Sequence, residues 1–525
     1  MADHTTDLLV VGAGASGASV AYEAVRRGLS VALLEAGDIG GGTSSRSTKL
    51  LHGGVRYLEL AFKTFNPAQL KLVKEALIER SHWLKQAPFL ARRLTLALPT
   101  DNVWGQAYYR IGLGIYDALA GHQGIGSSHL LSRRQLRQAL PKLKPCQGAV
   151  AYNDGQFDDA RLNLLLALTA QRAGVVLRTR CKVMAIERNS VGRVAAAISE
   201  TINGQQERWN ARVIVNAAGP GADTLRHMAD PTAPARMLTS RGSHIVLKQN
   251  LCQQGLGLLV PSTVDGRVLF MLPFFGRTLV GTTDEVCELG TANVPSSEEE
   301  AYLLNYVHQW FPSVTKPEVT SRWAGGRPLL RPSRAGIDKN RIVRDHEVET
   351  LPCGLVSVMG GKWTTCRPMA IDTLAAVERQ RGRPLPPAKA LSLWGSGATV
   401  ATTYRLLKEQ VAQLKALLPD TFSRSAQIAH LQSNYGLQAL PLIEAAAPAD
   451  REPLSDVIPL CEAEVSYAIR AEQARSSTDV LARRCRLAMV DLTEAQRLEP
   501  VIEKHLAQSG LATTFASPID HQLNP

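Results

Sequence analysis

The first 35 residues contain the pattern that most constrains how this chain can fold. A short apolar run, Asp7–Val11, leads directly into the glycine-rich segment Gly12–Gly17, which reads G-A-G-A-S-G. Such a run is typical of a buried parallel strand. A helix is expected from about residue 15 to Gly28, and a second apolar strand over Ser30–Leu34. The order of strand, glycine turn, helix and strand predicts a Rossmann-like βαβ unit in an α/β fold.

Three glycines of the turn, and an acid after the second strand, suit a dinucleotide. Gly12 permits the tight turn, Gly14 lets the backbone approach a pyrophosphate, and Gly17 allows the helix to pack closely on the strand. The helix N-terminus supplies N–H groups and a positive dipole for the phosphates. Glu35 is placed to accept hydrogen bonds from a ribose hydroxyl and would repel a 2′-phosphate. We therefore expect a dinucleotide site that excludes NADP, and its N-terminal position favours FAD over NAD.

Size, charge and cysteine content narrow the class of protein. A chain of 525 residues predicts two or three domains. The net charge of +12 and the pI near 9.4 favour anionic partners, which include phosphorylated metabolites, anionic lipid and nucleic acid. Eight scattered cysteines with no metal-ligand spacing indicate a reduced compartment and no metal site. We expect no signal peptide and no membrane-spanning helix, because the N-terminus is polar and no apolar run reaches about 18 residues.

A series of later motifs resembles one family. Residues 43–57 read T-S-S-R-S-T-K-L-L-H-G-G-V-R-Y, which is similar to the TSS-x-S-x-KL-x-HGG-x-RYL signature of FAD-linked glycerol-3-phosphate dehydrogenases. The region is shared with the wider amino-acid-oxidase-like flavoenzymes, but the HGG-x-RYL ending occurs in a much smaller group of proteins. Six further segments resemble motifs of this family in the same order along the chain: Asp158–Leu162, Val215–Pro220, Arg241–Val246, Gly281–Asp284, Gly326–Leu329 and Gly360–Thr365.

The chain departs from the family pattern at a few positions. Gly221 replaces a tryptophan, Trp363 stands where the family usually has leucine, and Cys366 stands where it usually has tyrosine. The last two predict different packing around the flavin. The loop Asp38–Gly42 is unusually rich in glycine, and we expect it to cover the cofactor more loosely.

The resemblance implies an amino-acid-oxidase-like flavoprotein. Its fold class is α/β, with a Rossmann-like FAD-binding domain, an antiparallel-sheet substrate domain and a C-terminal helical cap. The predicted domain boundaries are 1–85, 150–240 and 345–385 for the FAD-binding domain, 86–149 and 241–344 for the substrate domain with a candidate membrane-contact region, and 390–525 for the helical domain.

Two segments carry structural expectations of their own. Residues 88–121 are rich in Leu, Ile, Tyr and Trp with interspersed arginines, which suits either contact with a membrane surface or an ordinary buried helix pair. Apolar residues at alternating steps of three and four predict a helical packing face in the C-terminal domain, with a short coiled-coil partner site as the alternative. This face consists of Tyr404, Leu407, Val411, Leu414 and Leu418.

By resemblance, arginines hold the substrate phosphate, because the planar guanidinium meets phosphate oxygens bidentately. Arg56, Arg327 and Arg344 are the candidates, and Tyr57 and Lys362 are also expected to bind the substrate. Elsewhere in a protein an arginine would by default lie on the solvated surface.

The resemblance also gives His244 and Arg327 catalytic roles. A neutral imidazole near pH 7 accepts the hydroxyl proton, so His244 is the candidate general base, and Arg327 can stabilise the substrate oxygen. The alternative for His244 is a hydrogen-bonded core histidine on a strand. His52 is expected to lie against the flavin.

The second glycine turn, at Gly360-Gly361, precedes an expected helix from Thr364 onward. The N-terminus of this helix and Lys362 would meet the negative charge of reduced flavin. The predicted cofactor contacts are Gly12, Gly14, Ala15, Ser16, Gly17, Glu35, Thr43, Ser44, Ser45, Lys49, Leu51, His52, Gly53, Ala218, Gly219, Gly361, Lys362 and Thr364.

The resemblance implies oxidation of sn-glycerol 3-phosphate to dihydroxyacetone phosphate by hydride transfer to FAD. No cysteine cluster, haem motif or second nucleotide motif occurs in the sequence, which indicates a diffusible electron acceptor: a membrane quinone or oxygen. With a quinone, the enzyme would be peripheral on the cytoplasmic face of the inner membrane and bind an anionic membrane surface. A homodimer is open.

Three other functions remain as alternatives. A glycerol-3-phosphate oxidase that uses oxygen shares the same motifs. An amine or amino-acid oxidase is disfavoured by HGG-x-RYL and the arginines. A basic flavin-containing RNA-binding protein is suggested by the pI alone, and since no RNA-binding signature supports it, we expect no nucleic-acid partner.

Overall fold

The computed structural model of the protein describes residues 1–55, 67–261, 263–264, 266–331 and 346–511. All eighteen strands that the structure describes belong to two sheets, one of eight and one of ten strands. A bundle of helices follows from residue 400 onward. The predicted α/β class, with a Rossmann-like sheet, a second sheet and a C-terminal helical region, is confirmed.

The strands are numbered in chain order. Their bounds are β1 Ala2–Val11, β2 Val31–Leu34, β3 Leu50–Leu51, β4 Ala91–Thr100, β5 His129–Ser132, β6 Gly148–Phe157, β7 Val176–Arg178, β8 Cys181–Arg188, β9 Val194–Thr201, β10 Gln206–Asn216, β11 Met237–Leu247, β12 Leu256–Val260, β13 Leu269–Phe274, β14 Arg277–Gly281, β15 Glu285–Val286, β16 Val319–Leu330, β17 His346–Thr350 and β18 Val356–Gly360.

The α-helices that the structure describes are numbered in the same way. Their bounds are α1 Ala15–Arg26, α2 Pro67–Gln86, α3 Val103–Ala120, α4 Arg133–Ala139, α5 Asp159–Arg172, α6 Ala222–Ala229, α7 Ser297–Trp310, α8 Cys366–Arg381, α9 Val400–Leu417, α10 Arg424–Tyr435, α11 Ala439–Glu444, α12 Glu462–Ala471, α13 Leu487–Val490 and α14 Leu492–Gln508. A π-helical turn over Asp479–Arg484 precedes α13.

The first sheet contains the predicted parallel core. Strands β18, β10, β1, β2 and β7 lie side by side in this order and run parallel, and β17 closes one edge antiparallel to β18. Leu8 is paired with Val31 on one side and Val213 on the other. Helices α1, α5 and α8 pack on one face of this sheet around a common apolar core, so the strands are buried on both sides and need to be continuously apolar.

The second sheet is largely antiparallel. Its order is β15-β11-β14-β13-β12-β4-β6-β3, and β16 pairs with β11. Strands β13 and β14 form an antiparallel hairpin that turns at Gly276. The long pairing of β11 with β16 places His244 opposite Trp323 and Ser240 opposite Arg327. Residues of the two predicted catalytic motifs therefore come from neighbouring strands.

The C-terminal helical region packs on the second sheet. Trp323 and residues of α13 share one apolar core. Ser321 Oγ donates a hydrogen bond to the carbonyl of Ala488 (2.7 Å), and Thr320 Oγ1 donates one to the carbonyl of Val490 (2.7 Å). A second core lies among α9 to α12. The last domain is thus joined to the strand that carries Arg327.

The segment 88–121 is not a helix pair. Residues 91–100 form β4, which lies between β12 and β6 in the second sheet, and only 103–120 are helical. Most of β4 is buried and only Arg92 and Arg93 are exposed, so the segment lacks the alternation of apolar and polar residues that would identify a strand. The domain boundaries stay a prediction: β6, most of which was assigned to the FAD-binding domain, pairs with β4 in the second sheet.

The expected packing face of α9 is wrong in part. Leu407, Leu414 and Leu418 are buried, but Tyr404 and Val411 are exposed. Thr403 and Gln410 take the inward positions instead. The Oγ1 of Thr403 donates to the carbonyl of Thr399, and Nε2 of Gln410 donates to that of Leu437, so the structure satisfies two polar groups that a hydrophobic pattern excludes from the core. The exposed residues are available at the surface, but nothing in the structure favours a coiled coil.

Candidate active site

The first glycine turn is pressed against the end of β10. Gly12 has a φ of +105°, and a Cβ atom there would lie 2.6 Å from the carbonyl oxygen of Ala217 and 3.2 Å from Cα of Ala218. A Cβ on Gly17 would lie 1.8 Å from the carbonyl oxygen of Gly12. Only glycine fits these positions, so β1, α1 and the segment that leads into Gly219 converge as a dinucleotide site requires.

Glu35 closes this turn from the end of β2. Its carboxylate accepts hydrogen bonds from the backbone N–H groups of Ala13 (2.7 Å) and Gly37 (2.8 Å). Burial raises the pKa of Glu35, against the lowering effect of these two N–H groups. The side chain therefore lies at the position expected for contact with a ribose and also orders the turn, a role that the sequence alone did not reveal.

Ser44 joins the two glycine turns. Its Oγ accepts a hydrogen bond from the N–H of Ala15 (2.9 Å) at the start of α1, where Ser16 also lies in the first turn. Its carbonyl oxygen accepts one from the indole of Trp363 (2.9 Å). A Cβ on Gly14 would approach Ser44 Oγ to 3.0 Å. The tryptophan that departs from the family pattern thus connects the second turn to the N-terminus of α1.

Trp363 packs edge to face with the rings of Trp83 and Phe157, and the indole of Trp83 donates to the carbonyl of Thr364 (3.3 Å). Gly361 has a φ of +77°, and a Cβ there would lie 2.4 Å from Sδ of Met369. The second turn is therefore fixed by aromatic packing and by a left-handed backbone conformation that favours glycine. Cys366, the other departure, is fully buried and its pKa is raised to about 12 by burial, so it is an unreactive core thiol.

The loop Asp38–Gly42 is tied down and not loose. Asp38 is buried and forms ion pairs with Arg483 and Arg484 of the C-terminal domain. Burial alone would raise the pKa of Asp38, but Arg484 and Arg483 lower it. The N–H of Gly40 also bonds the carbonyl of Ala13 (3.1 Å). The expectation of a looser cover is wrong, because the arginines that hold the loop lie more than 440 residues away in the chain.

His52 and Gly53 follow β3, in which Leu51 is buried against Gly155. The pKa of His52 is lowered to about 4 by burial and by the charge of Lys362, so the ring is neutral at pH 7. The N–H of Gly53 bonds the hydroxyl of Tyr116 (2.8 Å), which in turn donates to Asp154 (2.8 Å). The structure thus brings together His52 and Lys362 from two motifs far apart in sequence.

His244 lies on β11 in a closely fitted position. Its Nε2 is 2.9 Å from Oγ1 of Thr48, and its ring stacks on Trp323 at 5.4 Å between centroids. A Cβ on Gly281 would lie 2.2 Å from the imidazole Cδ2, which explains the glycine of the G-T-T-D motif. The side chain is only 2% exposed.

The electrostatic surroundings keep His244 neutral. Burial lowers its pKa well below the usual 6.5, and the cations Lys49 and Arg327 lower it further. A neutral imidazole can accept a proton, but burial also agrees with the core-histidine alternative. Thr48, which is half-buried, is therefore the accessible member of the pair.

Arg327 is oriented by the G-T-T-D motif. Its guanidinium donates to Asp284 Oδ1 (3.0 Å), Thr282 Oγ1 (3.0 Å) and the carbonyl of Thr283 (2.9 Å). A Cβ on Gly242 would lie 2.4 Å from Nη2 of Arg327, so the glycine beside His244 leaves room for the guanidinium. The side chain is 32% exposed. Arg327 is thus fixed in direction while part of its surface remains accessible.

The segment 43–49 bridges the two sheets. Oγ1 of Thr43 donates to the carbonyl of Gly326 in β16, and Ser45 is buried. Lys49 directs its ammonium group to Asp159 Oδ2 (2.7 Å) and to the carbonyl of Ser45 (2.8 Å). Lys49, expected to contact the cofactor, is therefore held by an acid.

Several residues of this site carried no role in the sequence analysis. Asp159 was identified only as part of the motif Asp158–Leu162, with no role of its own. Thr48 occupies a variable position of the signature at residues 43–57. Three C-terminal arginines, Arg483, Arg484 and Arg486, stand close together in the sequence, which is the one signal that could have indicated them. No local pattern predicts which acidic residues they contact. Arg56, Tyr57 and Arg344 lie outside the described residues, so their substrate roles stay predictions.

Among the residues that the structure describes, no group of three or more His, Cys, Asp or Glu side chains is placed to hold a metal ion. None of the helices in the described ranges combines the length and apolar character needed to cross a bilayer.

Comparisons with known proteins agree with this geometry. Residues 7–367 match the family described as FAD dependent oxidoreductase, and residues 388–510 match the C-terminal domain of alpha-glycerophosphate oxidase. A mitochondrial glycerol-3-phosphate dehydrogenase of Homo sapiens is 36% identical over an aligned length of 514 residues, and the alignment covers 94% of this chain and 69% of that protein. One of Arabidopsis thaliana is 37% identical over 524 residues, covering 96% and 82% of the two chains.

Solved structures resemble the chain over most of its length. The glycerol-3-phosphate dehydrogenase from Bacillus halodurans complexed with FAD has a TM-score of 0.76 and 25% identity, covering 96% of this chain and 90% of that one. An FAD-bound L-alpha-glycerophosphate oxidase from Mycoplasma pneumoniae, at 18% identity and a TM-score of 0.57, covers 74% of this chain and 98% of its own and shares the fold.

The residues present fit FAD as the cofactor. The cradle of Gly12, Gly14 and Gly17 admits backbone approach to a pyrophosphate, Glu35 stands at the end of β2, and the second turn at Gly361 faces the same segment through Trp363 and Ser44. With the family matches over both parts of the chain, these features lead to one assignment. The chain is an FAD-dependent enzyme that belongs to the glycerol-3-phosphate dehydrogenase family.

Proposed function

We propose that this chain oxidises sn-glycerol 3-phosphate to dihydroxyacetone phosphate and passes the electrons to a membrane quinone. The observation that carries the proposal is the segment 43–49. At one end Ser44 bonds the first turn of α1, and near the other end Thr48 bonds His244. One short segment therefore joins the dinucleotide turn to the strands that carry the candidate catalytic side chains.

Cations from both sheets bind the anionic substrate. Arg327 presents a planar fork whose direction is set by three acceptors, as binding of phosphate or a developing alkoxide requires. Lys362 adds a positive charge beside His52. Arg56, Tyr57 and Arg344 complete this set by analogy with the family. The basic excess of the whole chain favours the approach of a phosphorylated substrate.

The hydroxyl proton of the substrate goes to His244 as the hydride leaves C2. The imidazole is neutral at pH 7 and can take one proton, and Thr48 orients the ring through Nε2. Since His244 is buried, the half-buried hydroxyl of Thr48 is the group that faces the substrate and relays the proton. FAD, when bound, supplies the hydride acceptor. Arg327 stabilises the negative charge that develops on the oxygen.

The test of this function is anaerobic addition of sn-glycerol 3-phosphate to the purified yellow protein, followed by a soluble quinone. We expect loss of the flavin absorbance near 450 nm and its recovery with quinone. A protein that contains FAD but keeps its absorbance with this substrate would overturn the proposal and direct the search to other phosphorylated alcohols or amines.

The electron acceptor distinguishes the proposal from a second function. Because residues 388–510 match a domain named after glycerophosphate oxidase, an oxygen-using oxidase is the alternative. After anaerobic reduction, the dehydrogenase proposal expects slow reoxidation by air and fast reoxidation by quinone. Fast reoxidation by air, with release of peroxide, would establish the oxidase instead.

The membrane contact is assigned to helix α3. Leu113, Tyr116 and Ala120 form its buried face, whereas Trp104 is 86% exposed and Tyr108 and Ile111 are also exposed. An exposed face with aromatic residues is typical of helices that lie in the membrane interface. Helix α3 contacts β5, which leads directly into α4, and the arginines of α4 are exposed. These features support a peripheral enzyme on an anionic membrane, and we propose that this membrane surface is the cytoplasmic face of the inner membrane.

A further inference from the structure

The C-terminal domain reaches the segment that carries Thr48. Arg486 is fully buried, and its Nη2 donates to the carbonyl of Ser45 (2.9 Å) and to Asp159 Oδ1 (3.0 Å). Its Nη1 donates to the carbonyl of Ala482 in the π-helical turn (2.9 Å). A guanidinium from the last domain thus bonds the backbone of the segment that caps α1.

Asp159 is the acid on which this segment converges. It accepts hydrogen bonds from the N–H (2.9 Å) and Oγ (2.7 Å) of Ser47 and from Nζ of Lys49 (2.9 and 2.7 Å), besides the bond from Arg486. Burial alone would raise the pKa of Asp159, but Lys49 and Arg486 lower it, so the carboxylate stays ionised. Ser47 and Lys49 are the residues on either side of Thr48. The position of Thr48 is therefore fixed from both sides.

Two backbone conformations indicate that this arrangement is specified. Lys49 has a φ of +63° and Arg486 a φ of +71°. Residues other than glycine adopt such angles uncommonly, and the angles persist where the surroundings require them. Both residues direct a cation to the same carboxylate. The fold therefore tolerates local strain to bring Lys49 and Arg486 together at Asp159.

We propose that Arg486 and Asp159 are positioning residues of the active site, which set the Thr48–His244 contact through the segment 45–49. The C-terminal helical domain then completes the active site instead of serving only as a cap. This inference rests on the proposed function, because it assumes that the Thr48–His244 pair handles the substrate proton. It assigns a role to a domain for which the sequence contained no chemical motif.

The test compares two buried arginines that both cross between the domains. Arg161→Met is the matched control: Arg161 is fully buried and bonds Glu472 and the carbonyl of Asn434, but has no bond to the segment 45–49 among those of the described residues. Arg486→Met removes a side chain of the same kind from Ser45 and Asp159. Ser47→Ala removes one bond to Asp159 without leaving a buried charge unpaired, and Arg486→Lys keeps the charge but loses the planar fork.

Each FAD-loaded variant is assayed for kcat and KM with sn-glycerol 3-phosphate and a soluble quinone, and for the visible circular dichroism of its bound flavin. We expect kcat to fall about 10- to 100-fold in Arg486→Met, by a smaller factor in Ser47→Ala, and to recover in part in Arg486→Lys, with KM changed much less. Arg161→Met should lose stability but keep kcat. If Arg486→Met and Arg161→Met have equal kcat, the proposal is overturned.

Two further outcomes also decide whether the positioning proposal holds. If Arg486→Met cannot be purified, Ser47→Ala answers alone: a reduced kcat supports the proposal and a wild-type kcat overturns it. If the wild type is not reduced by the substrate, the proposed function fails. The flavin dichroism then decides on positioning, since a spectrum altered in Arg486→Met and Ser47→Ala but not in Arg161→Met would retain it, and identical spectra would exclude it.

Discussion

Nε2 of His244 lies 2.9 Å from Oγ1 of Thr48, and this contact joins two residues that are 196 positions apart in the chain. It connects a strand of the second sheet to the segment that also caps the first helix of the dinucleotide unit. His244 is buried and neutral, whereas Thr48 is half-buried. The pair therefore consists of a buried proton acceptor, the imidazole, and a more accessible hydroxyl that is bonded to it.

Replacement of Thr48 tests this pair. Thr48→Val keeps the shape of the side chain but removes the hydroxyl, so His244 loses its partner and kcat should fall about 100-fold, at the lower end of the contribution typical of proton transfer by a positioned side chain. Thr48→Ser retains the hydroxyl and should keep most of kcat. Steady-state assay with quinone measures both, and a wild-type kcat in Thr48→Val would contradict the role of the pair.

Arg327→Lys should lower kcat/KM by about 100-fold or more. A lysine cannot reproduce the planar fork that donates to Asp284, Thr282 and the carbonyl of Thr283. The control is Arg322→Lys on the same strand, where the side chain pairs with Glu300 near the surface. Equal kcat/KM values for the two variants would exclude Arg327 from the substrate site.

The exposed face of α3 should decide membrane binding. Trp104→Ser combined with Ile111→Ser removes apolar area from this face, so flotation with vesicles that contain anionic lipid should decrease strongly while quinone-dependent activity in detergent is kept. Phe422→Ser, a change at an exposed aromatic residue of the C-terminal region, is the control and should float like the wild type. Undiminished flotation of the double variant would assign the contact to another surface.

Protonation of His82 should contribute to the pH dependence of the free energy of unfolding. Its pKa is lowered to about 3 by burial and by the charges of Arg367, Arg26 and Lys85. Between pH 6.5 and 3 the unfolded chain binds a proton that the folded chain does not, so lowering the pH reduces the free energy of unfolding. The His82→Gln variant lacks this titration. As the pH falls, its free energy of unfolding should therefore decrease less steeply than that of the wild type, and the two slopes should differ by about 1 kcal/mol per pH unit.

Denaturant unfolding of the wild type and the His82→Gln variant at several pH values between 4 and 7 measures this difference. All other titrating groups are common to both proteins and cancel. Parallel pH curves would mean that the imidazole of His82 is protonated as easily in the folded chain as in the unfolded one.

The sequence predicted the parts of the fold that rest on local pattern. The first βαβ unit and the second glycine turn were predicted because strand hydrophobicity and glycine spacing are properties of neighbouring residues. The roles of Gly242 and Gly281 were not found, since each makes room for a side chain on an adjacent strand. Pairing between strands that are distant in sequence determines these contacts.

The network of buried charges could not be predicted from the sequence. Asp38 meets Arg483 and Arg484, and Asp159 meets Arg486, across most of the length of the chain. An arginine in a helical region is expected to be exposed to solvent unless its acidic partner is known. For the same reason the glycine-rich loop was expected to be loose, although its acid is held by the C-terminal domain.

The most direct test of the central claim is rapid anaerobic mixing of the FAD-loaded protein with sn-glycerol 3-phosphate that carries either hydrogen or deuterium at C2. Transfer of a hydride from C2 predicts that flavin absorbance near 450 nm is lost with both substrates and more slowly with deuterium. No loss of absorbance, or a loss that the deuterium leaves unchanged even when product release and binding are excluded as limiting steps, would contradict the proposed oxidation.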